Sequence, residues 1–259
     1  MKMTNKQIKL LPTLLELNRE IVGIKFIDSA NQWNDIKAKE LLRPANYCQI
    51  VAAASNGHSI KMKNEDIKCR SAAISLGFEK NDLKNKSGEN WTRLGLYDNP
   101  DISKELRDRI PDIKKEYYGI KLAPLKDFEE VPDVIIIVTN PYNIMRIVQG
   151  YSYYFGQIEN VSIAGNQGIC RECTVEPMNT KGINISTLCI GTRHRTGWKD
   201  DEMAVGISGN IFEKVVSGVA NTINSMESDK KKKAIEKRAK EYGINIPNIK
   251  WNYNYYMDC

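Results

Sequence analysis

The sequence predicts an α/β or α+β fold, a mixed sheet with flanking helices that is extended at its C-terminus by a basic helix and an aromatic tail. Three observations carry that prediction. The run Val134-Ile-Ile-Ile-Val138 is continuously β-branched, the pattern of a central strand covered on both faces. It leads through Thr139-Asn140 into Pro141, a helix start with proline in the first turn, so a strand and a helix follow one another as in α/β units. The chain has 259 residues, 41% hydrophobic and 27% charged, which supports a sizeable packed core and excludes a disordered chain.

In chain order, Gln7 to Arg19 sets Ile8, Leu11, Leu14, Leu15 and Leu17 at helical spacing, with Pro12 in the first turn or at a kink. Ile21 to Ile27 alternates and is rich in β-branched residues, which predicts a strand. A polar helix or loop runs to Arg43-Pro44. Tyr47 to Ser55 is small and apolar and predicts a buried helix closed by Asn56-Gly57, followed by a short strand over Ser59 to Met62. Asn64 is placed to cap a helix from Glu65 through Leu76, with Gly77 as its stop. Asn81 to Asn90 is turn-like, Asp101 to Arg109 a charged surface helix, and Pro124 to Pro132 a loop.

Beyond the strand at 134–138, the helix begun at Pro141 continues to about Tyr154. Asn160 to Ala164 reads as a further strand, Asn166 to Glu176 as a short helix or loop, and Asn184 to Leu188 as a strand. Asp200-Asp201-Glu202 suits a helix N-terminus, where acidic groups meet the positive end of the dipole, with general acid–base chemistry as the alternative. Ile211 to Met226 is an amphipathic helix and Asp229 to Tyr242 a basic one. The tail from Trp251 to Tyr256 suits docking on its own domain or on a second copy in a homodimer. No repeat or long linker intervenes, so residues 1–226 read as one metal-binding domain and 227–259 as a helical extension and tail.

The formal charge is +6, from 38 basic and 32 acidic residues, and the excess gathers between Lys230 and Lys240. A basic face confined to one late helix is a solvated surface, so no nucleic-acid partner is expected. No apolar run approaches the ~18 residues of a membrane span, and the N-terminal stretch lacks an uninterrupted signal core. The expected compartment is the cytosol, with no membrane partner.

Six cysteines, Cys48, Cys69, Cys170, Cys173, Cys189 and Cys259, are then candidates for metal binding or catalysis, since a reducing cytosol does not keep disulfides. Cys170 and Cys173 form a C-x2-C pair, and Cys189 follows after fifteen residues. Thiolates are soft ligands that suit iron–sulfur clusters and zinc, and either takes four. A zinc ribbon would continue with a second C-x2-C, but the position after Cys189-Ile-Gly is Thr192. His194 is close enough to substitute, yet zinc there leaves Cys48 and Cys69 without a role. A thiol-redox motif would open a helix after a strand, and no clear strand precedes Cys170. The plainer alternative makes each cysteine a small buried hydrophobe; Cys259, at the end of the chain, reads as a bystander.

Arg193, His194 and Arg195 follow Cys189 closely. Cations beside thiolates would offset negative charge or hold an anion, and Arg193 is the candidate cofactor-binding residue; a basic surface loop is the alternative. His58 has no visible partner, and Gly165-Asn-Gln-Gly168 is too short and polar for a phosphate loop.

A set of short ordered motifs resembles a known family. Tyr47-Cys48-Gln49, Glu65-Asp66, Cys69 and Leu76-Gly77-Phe78 make its first half. Gly168-Ile-Cys170-Arg-Glu172, Asn184-Ile-Ser186, Cys189-Ile-Gly191-Thr-Arg193, Asp200-Asp201-Glu202 and Gly206-Ile207 make its second, with Val134 to Val138 and Asn140-Pro141 between them. Over roughly residues 10 to 220 the chain resembles the domain of unknown function 169 family, which carries no settled activity. The resemblance nominates Cys48, Cys69, Cys170 and Cys189, the number of ligands that a [4Fe–4S] cluster uses. Cys173 becomes an extra thiol, a substitute ligand or a redox partner. The expectation is a cytosolic iron–sulfur protein, a redox enzyme or electron-transfer component with a small-molecule substrate or a redox partner. The alternative is a zinc-stabilised or metal-free small-molecule-binding module without catalysis.

Overall fold

The computed structural model describes residues 5–80 and 87–252. Among these residues one sheet of seven strands forms. The strands are β1 (Val22–Ile27), β2 (Lys39–Glu40), β3 (Ile60–Met62), β4 (Gly119–Pro124), β5 (Val134–Thr139), β6 (Ile183–Ser186) and β7 (Met203–Ser208). Their spatial order is β2-β3-β4-β1-β5-β7-β6. Only β2 and β3 pair in parallel; every other named pairing is antiparallel, which makes the sheet mixed as expected.

Strand β5 is buried at all six positions, and its side chains explain why. Val134, Ile136 and Val138 face one apolar cluster with Tyr47, Val51, Ile169 and Cys173. Ile135 and Ile137 face a second cluster with Leu11, Leu14, Ile147, Phe212 and Val219. Period-two alternation thus feeds two cores, one on each side of the sheet, and apolar residues at every position serve both.

The second cluster is covered by the helices Asn5–Leu15, Pro141–Phe155 and Gly209–Asn221. The last two cross in near backbone contact, since a Cβ at Gly218 would lie 2.0 Å from the Gly150 carbonyl oxygen. The basic helix Asp229–Tyr242 docks on the first helix. Its Ile235 is buried in this cluster, and Arg238 donates to the Thr13 carbonyl at 2.8 Å and pairs with Glu16 at 3.2 Å.

The first cluster is covered by the helix Tyr47–Ser55, the short helix Arg70–Ser75 and a π-helix, Gly168–Val175. The expected helix from Glu65 to Leu76 is divided here. A 3₁₀ turn, Asn64–Asp66, is followed by extended backbone in which Ile67 bridges to Ala45, and the α-helix starts only at Arg70. Lys68 N donates to Ala45 O and Ala45 N to Asp66 O, both at 2.9 Å. That exchange outweighs local helix propensity and sets Cys69 beside the start of the Tyr47 helix.

Other expectations are corrected. Asn160 to Ala164 forms no strand: Ser162 N donates to Asn184 Oδ1 at 3.0 Å and Ala164 N to Glu172 Oε1 at 2.7 Å, so side chains replace a ladder. Asp200 to Glu202 does not open a helix but a turn into β7, a strand that the sequence reading did not contain, and the same holds of β4. The Ile211 to Met226 helix is two helices, Gly209–Asn221 and Ile223–Met226. Within the expected turn from Asn81 to Asn90, residues 81–86 lie outside the described residues, and Glu89–Arg93 is helical. Of the aromatic tail, residues 253–256 likewise lie outside the described residues. No helix among the described residues is long and apolar enough to cross a membrane.

Candidate metal centre

Four separate segments converge on one cleft above the first core. Cys48 stands in the first turn of the Tyr47–Ser55 helix, whose start is fixed by the Gln49 side chain reaching back to Asn46 N at 3.2 Å. Cys69 is the N-cap of Arg70–Ser75, and Cys189 the N-cap of Ile190–Thr196. Cys170 lies in the π-helix, a wide-turned form often found at functional sites. The chain enters that helix through Gln167, at φ 56°.

Cys48, Cys69, Cys170 and Cys189 all line this cleft, which encloses about 150 Å³. Thr192, 2% exposed, places its hydroxyl 3.1 Å from Cys189 Sγ and also hydrogen-bonds Cys48. Burial pushes the Cys48 thiol up to about 11; the Thr192 hydrogen bond works against this, and the neighbouring Cys189 and Cys69 add to it. Burial also raises Cys170 well above its ordinary value, with Cys69, Cys189 and Cys48 adding to the effect. The action of the neighbouring sulfurs on Cys48 and Cys170 is the electrostatic sign of their convergence. Gathered in low dielectric, Cys48 and Cys170 favour the neutral form unless a cation joins them.

Four cysteine thiols are a soft donor set, the chemistry that both zinc and iron–sulfur centres use. Among the described residues no group of three or more His, Cys, Asp or Glu side chains is arranged to hold a metal ion.

The C-x2-C pair is split. Cys173 is fully buried in the apolar cluster and does not line the cleft. Its backbone packs on β7, where a Cβ at Gly206 would sit 2.0 Å from Cys173 O. Arg193 is also turned elsewhere. Its guanidinium donates to the carbonyls of Lys199, Thr187 and Glu202, tying the loop after the Cys189 helix to β7, and it does not line the cleft. Arg195 does, with its Nη1 3.2 Å from where a Cβ on Gly191 would be. His58 and His194 are exposed and absent from the lining. Cys259 lies outside the described residues.

The sequence reading gave no site role to Asn166, Gln167 and Thr192, and from the basic run after Cys189 it chose Arg193, where Arg195 is the residue in the cleft wall. Gln167 is 4% exposed and donates from Nε2 to Ser71 O at 3.1 Å, which holds the Cys69 segment against the π-helix entry. The visible signal was Gly165-Asn-Gln-Gly168, two polar residues between glycines directly ahead of Cys170. Behind the π-helix, Glu172 is fully buried and accepts from Ala164 N and Ser186 Oγ, while Arg171 pairs with Glu176 at 3.1 Å.

The model of DUF169, described as an uncharacterised ArCR, matches residues 10–218. An uncharacterized protein of Methanocaldococcus jannaschii is 23% identical over 213 residues, covering 82% of this chain and 91% of its own length. No solved structure matches the chain.

Proposed function

We propose, on the premise that the chain belongs to the DUF169 family and so inherits no established activity, that it is an iron–sulfur protein with Cys48, Cys69, Cys170 and Cys189 as ligands of a [4Fe–4S] cluster. The observation that carries this reading is the convergence of four cysteines, drawn from segments up to 141 positions apart in the numbering (189 minus 48), on one cleft of about 150 Å³. A fifth thiol, Cys173, is spent on core packing, so the lining is selective.

A cluster of this type supplies one-electron transfer at a potential set by nearby charge, hydrogen bonds and exposure. The chain's own groups prepare for it. Thr192 steadies Cys189 and Cys48, Gln167 fixes the Cys69 segment, and Arg195 brings positive charge to the mouth. Four protein thiolates leave no site for a substrate on the metal, so electron transfer with a redox partner is favoured over substrate chemistry. A reducing, cytosolic compartment suits ligands that must remain reduced.

Anaerobic purification followed by iron, sulfide and zinc analysis tests the reading. About four irons and four sulfides per chain with broad absorption near ~400 nm, as cluster stoichiometry requires, support it. Stoichiometric zinc, or a colourless metal-free chain after reconstitution with iron and sulfide, overturns it. Cys189→Ser is expected to lose iron, and Cys173→Ser to keep it. Equal loss in the two would overturn the ligand assignment.

A further inference from the structure

Among the residues lining the cleft, Asn166 carries a group with no structural employment. Its Nδ2 is buried and has no hydrogen-bond partner. The other amides of the wall are engaged through their nitrogen: Gln167 Nε2 donates to Ser71 O at 3.1 Å, and Asn46 Nδ2 to Gln49 Oε1 at 2.7 Å. A buried donor left without an acceptor costs stability, and native folds keep few of them. Asn166 lies directly ahead of the left-handed Gln167 that starts the π-helix, so the same turn that delivers Cys170 delivers this amide. The groups it shares the cleft with include four sulfurs, which are acceptors when deprotonated, and the unpartnered Gln167 Oε1.

We infer that Asn166 is a hydrogen-bond donor to the sulfur atoms of the centre, a positioning residue that sets its potential. This rests on the reading that the cleft holds an iron–sulfur cluster. Four thiolates and a cluster core carry net negative charge, and burial penalises any further negative charge that reduction adds. An N–H···S bond stabilises the more negative, reduced state more than the oxidised one, so it raises the potential. An amide that turns its NH₂ end to thiolates donates to them, whereas its oxygen would meet like charge, so a bound centre would draw Nδ2 towards it. A buried cation reinforces the field from behind: Arg107 is 5% exposed, has its guanidinium 5.5 Å from the Trp91 ring centroid, and interacts electrostatically with Cys170, Asp112 and Arg171.

The test compares anaerobic wild type with Asn166→Ala, which removes the donor, and Asn166→Asp, which keeps the shape and loses it. Iron and sulfide content should be unchanged. The reduction potential should fall in the alanine variant and fall further in the aspartate variant. In wild type labelled with ¹⁵N-amide asparagine, pulsed paramagnetic resonance of the reduced protein should show an amide nitrogen coupled to the cluster. That label reads an amide contact without any substitution, and its loss in Asn166→Ala but not in Asn46→Ala assigns it to Asn166, since both residues line the wall. No coupling in wild type, or unchanged potentials in variants that keep their iron, overturns the role of Asn166 and leaves the cluster standing. A wild type without iron and sulfide overturns the cluster reading itself.

Discussion

The hydroxyls of Tyr47 and Thr174 meet at 3.0 Å in the buried core, joining residues 127 positions apart. Thr174 Oγ1 donates its own proton to Ile169 O at 2.8 Å, so Tyr47 is the donor in the pair. Tyr47 directly precedes Cys48, and Thr174 shares the π-helix with Cys170. One buried hydrogen bond thus couples two of the segments that bring thiols to the cleft. Burial also holds the Tyr47 phenol far above its ordinary range, so it remains a donor at any physiological pH.

Tyr47→Phe is therefore expected to cost about 1 kcal/mol of stability, the net contribution of one buried hydrogen bond, with little change in packing. Chemical denaturation of the metal-free chain measures this. The iron content after reconstitution should also fall, because the two segments lose their common tie. Unchanged stability would mean that the apolar ring alone sets their spacing.

Gly206 faces the backbone of Cys173 across the β7–π-helix contact. Gly206→Ala puts a Cβ where the Cys173 carbonyl oxygen lies, 2.0 Å away, with no flexible side chain to yield. The expected destabilisation is at the upper end of the 1–3 kcal/mol typical of overpacking, or about 3 kcal/mol. Calorimetry should show a lowered Tm and, in reconstituted protein, reduced iron, because the helix carrying Cys170 is displaced. A neutral outcome would place the π-helix elsewhere on the sheet.

How much of this was legible beforehand depends on the range of the interaction. β5 announced itself because two opposed cores demand apolar residues at each of its positions. β7 and β4 did not, since Met203-Ala-Val-Gly-Ile-Ser208 and Gly119-Ile-Lys-Leu-Ala-Pro124 contain small residues whose use lies in close approach to other elements. The identity of the four cleft-lining cysteines was readable through family resemblance, whereas their meeting in space depends on long-range contacts such as the Ala45–Ile67 bridge. Residues 193 and 195 sit two apart on a helix and so point in different directions, which composition alone does not distinguish. The π-helix had no local signature at all.

The thiols give a pH dependence of defined sign. Cys48 in the folded chain titrates near 11 against an ordinary 9.0, because burial disfavours the thiolate. Its contribution to stability is fully present below the unfolded value and is lost as pH rises from 9.0 towards about 11, since the unfolded chain releases its proton first. The metal-free protein should lose stability over that window, measured by denaturation at stepped pH, and Cys48→Ala should flatten the loss. Alkylation of Cys48 by iodoacetamide should be slow at neutral pH and quicken over the same interval, because the thiolate is the nucleophile. Fast alkylation at pH 7 would show that the segment opens to solvent.

Arg193 and Arg195 separate the fold from the site. Arg193 bonds the carbonyls of Thr187, Lys199 and Glu202, and the Glu202 carboxylate in turn holds Arg19 at 2.7 Å. Burial would raise the Glu202 carboxyl, but the hydrogen bonds from Arg19 and Lys199 N and their charges outweigh it and hold it below the ordinary value of 4.5. Stability from this carboxylate is complete above 4.5 and fades as pH falls through the lower folded value. Arg193→Ala should accordingly cost about 1–2 kcal/mol, as expected for partly exposed bonds from a charged donor, and leave any bound cluster's spectrum unchanged. Arg195→Ala should do the reverse: near-wild-type denaturation, with a lowered potential because a cation at the mouth is gone. Denaturation and redox titration of the two variants side by side read both effects. Should Arg193→Ala shift the potential while Arg195→Ala does not, the cation that serves the centre is the one the carbonyls hold.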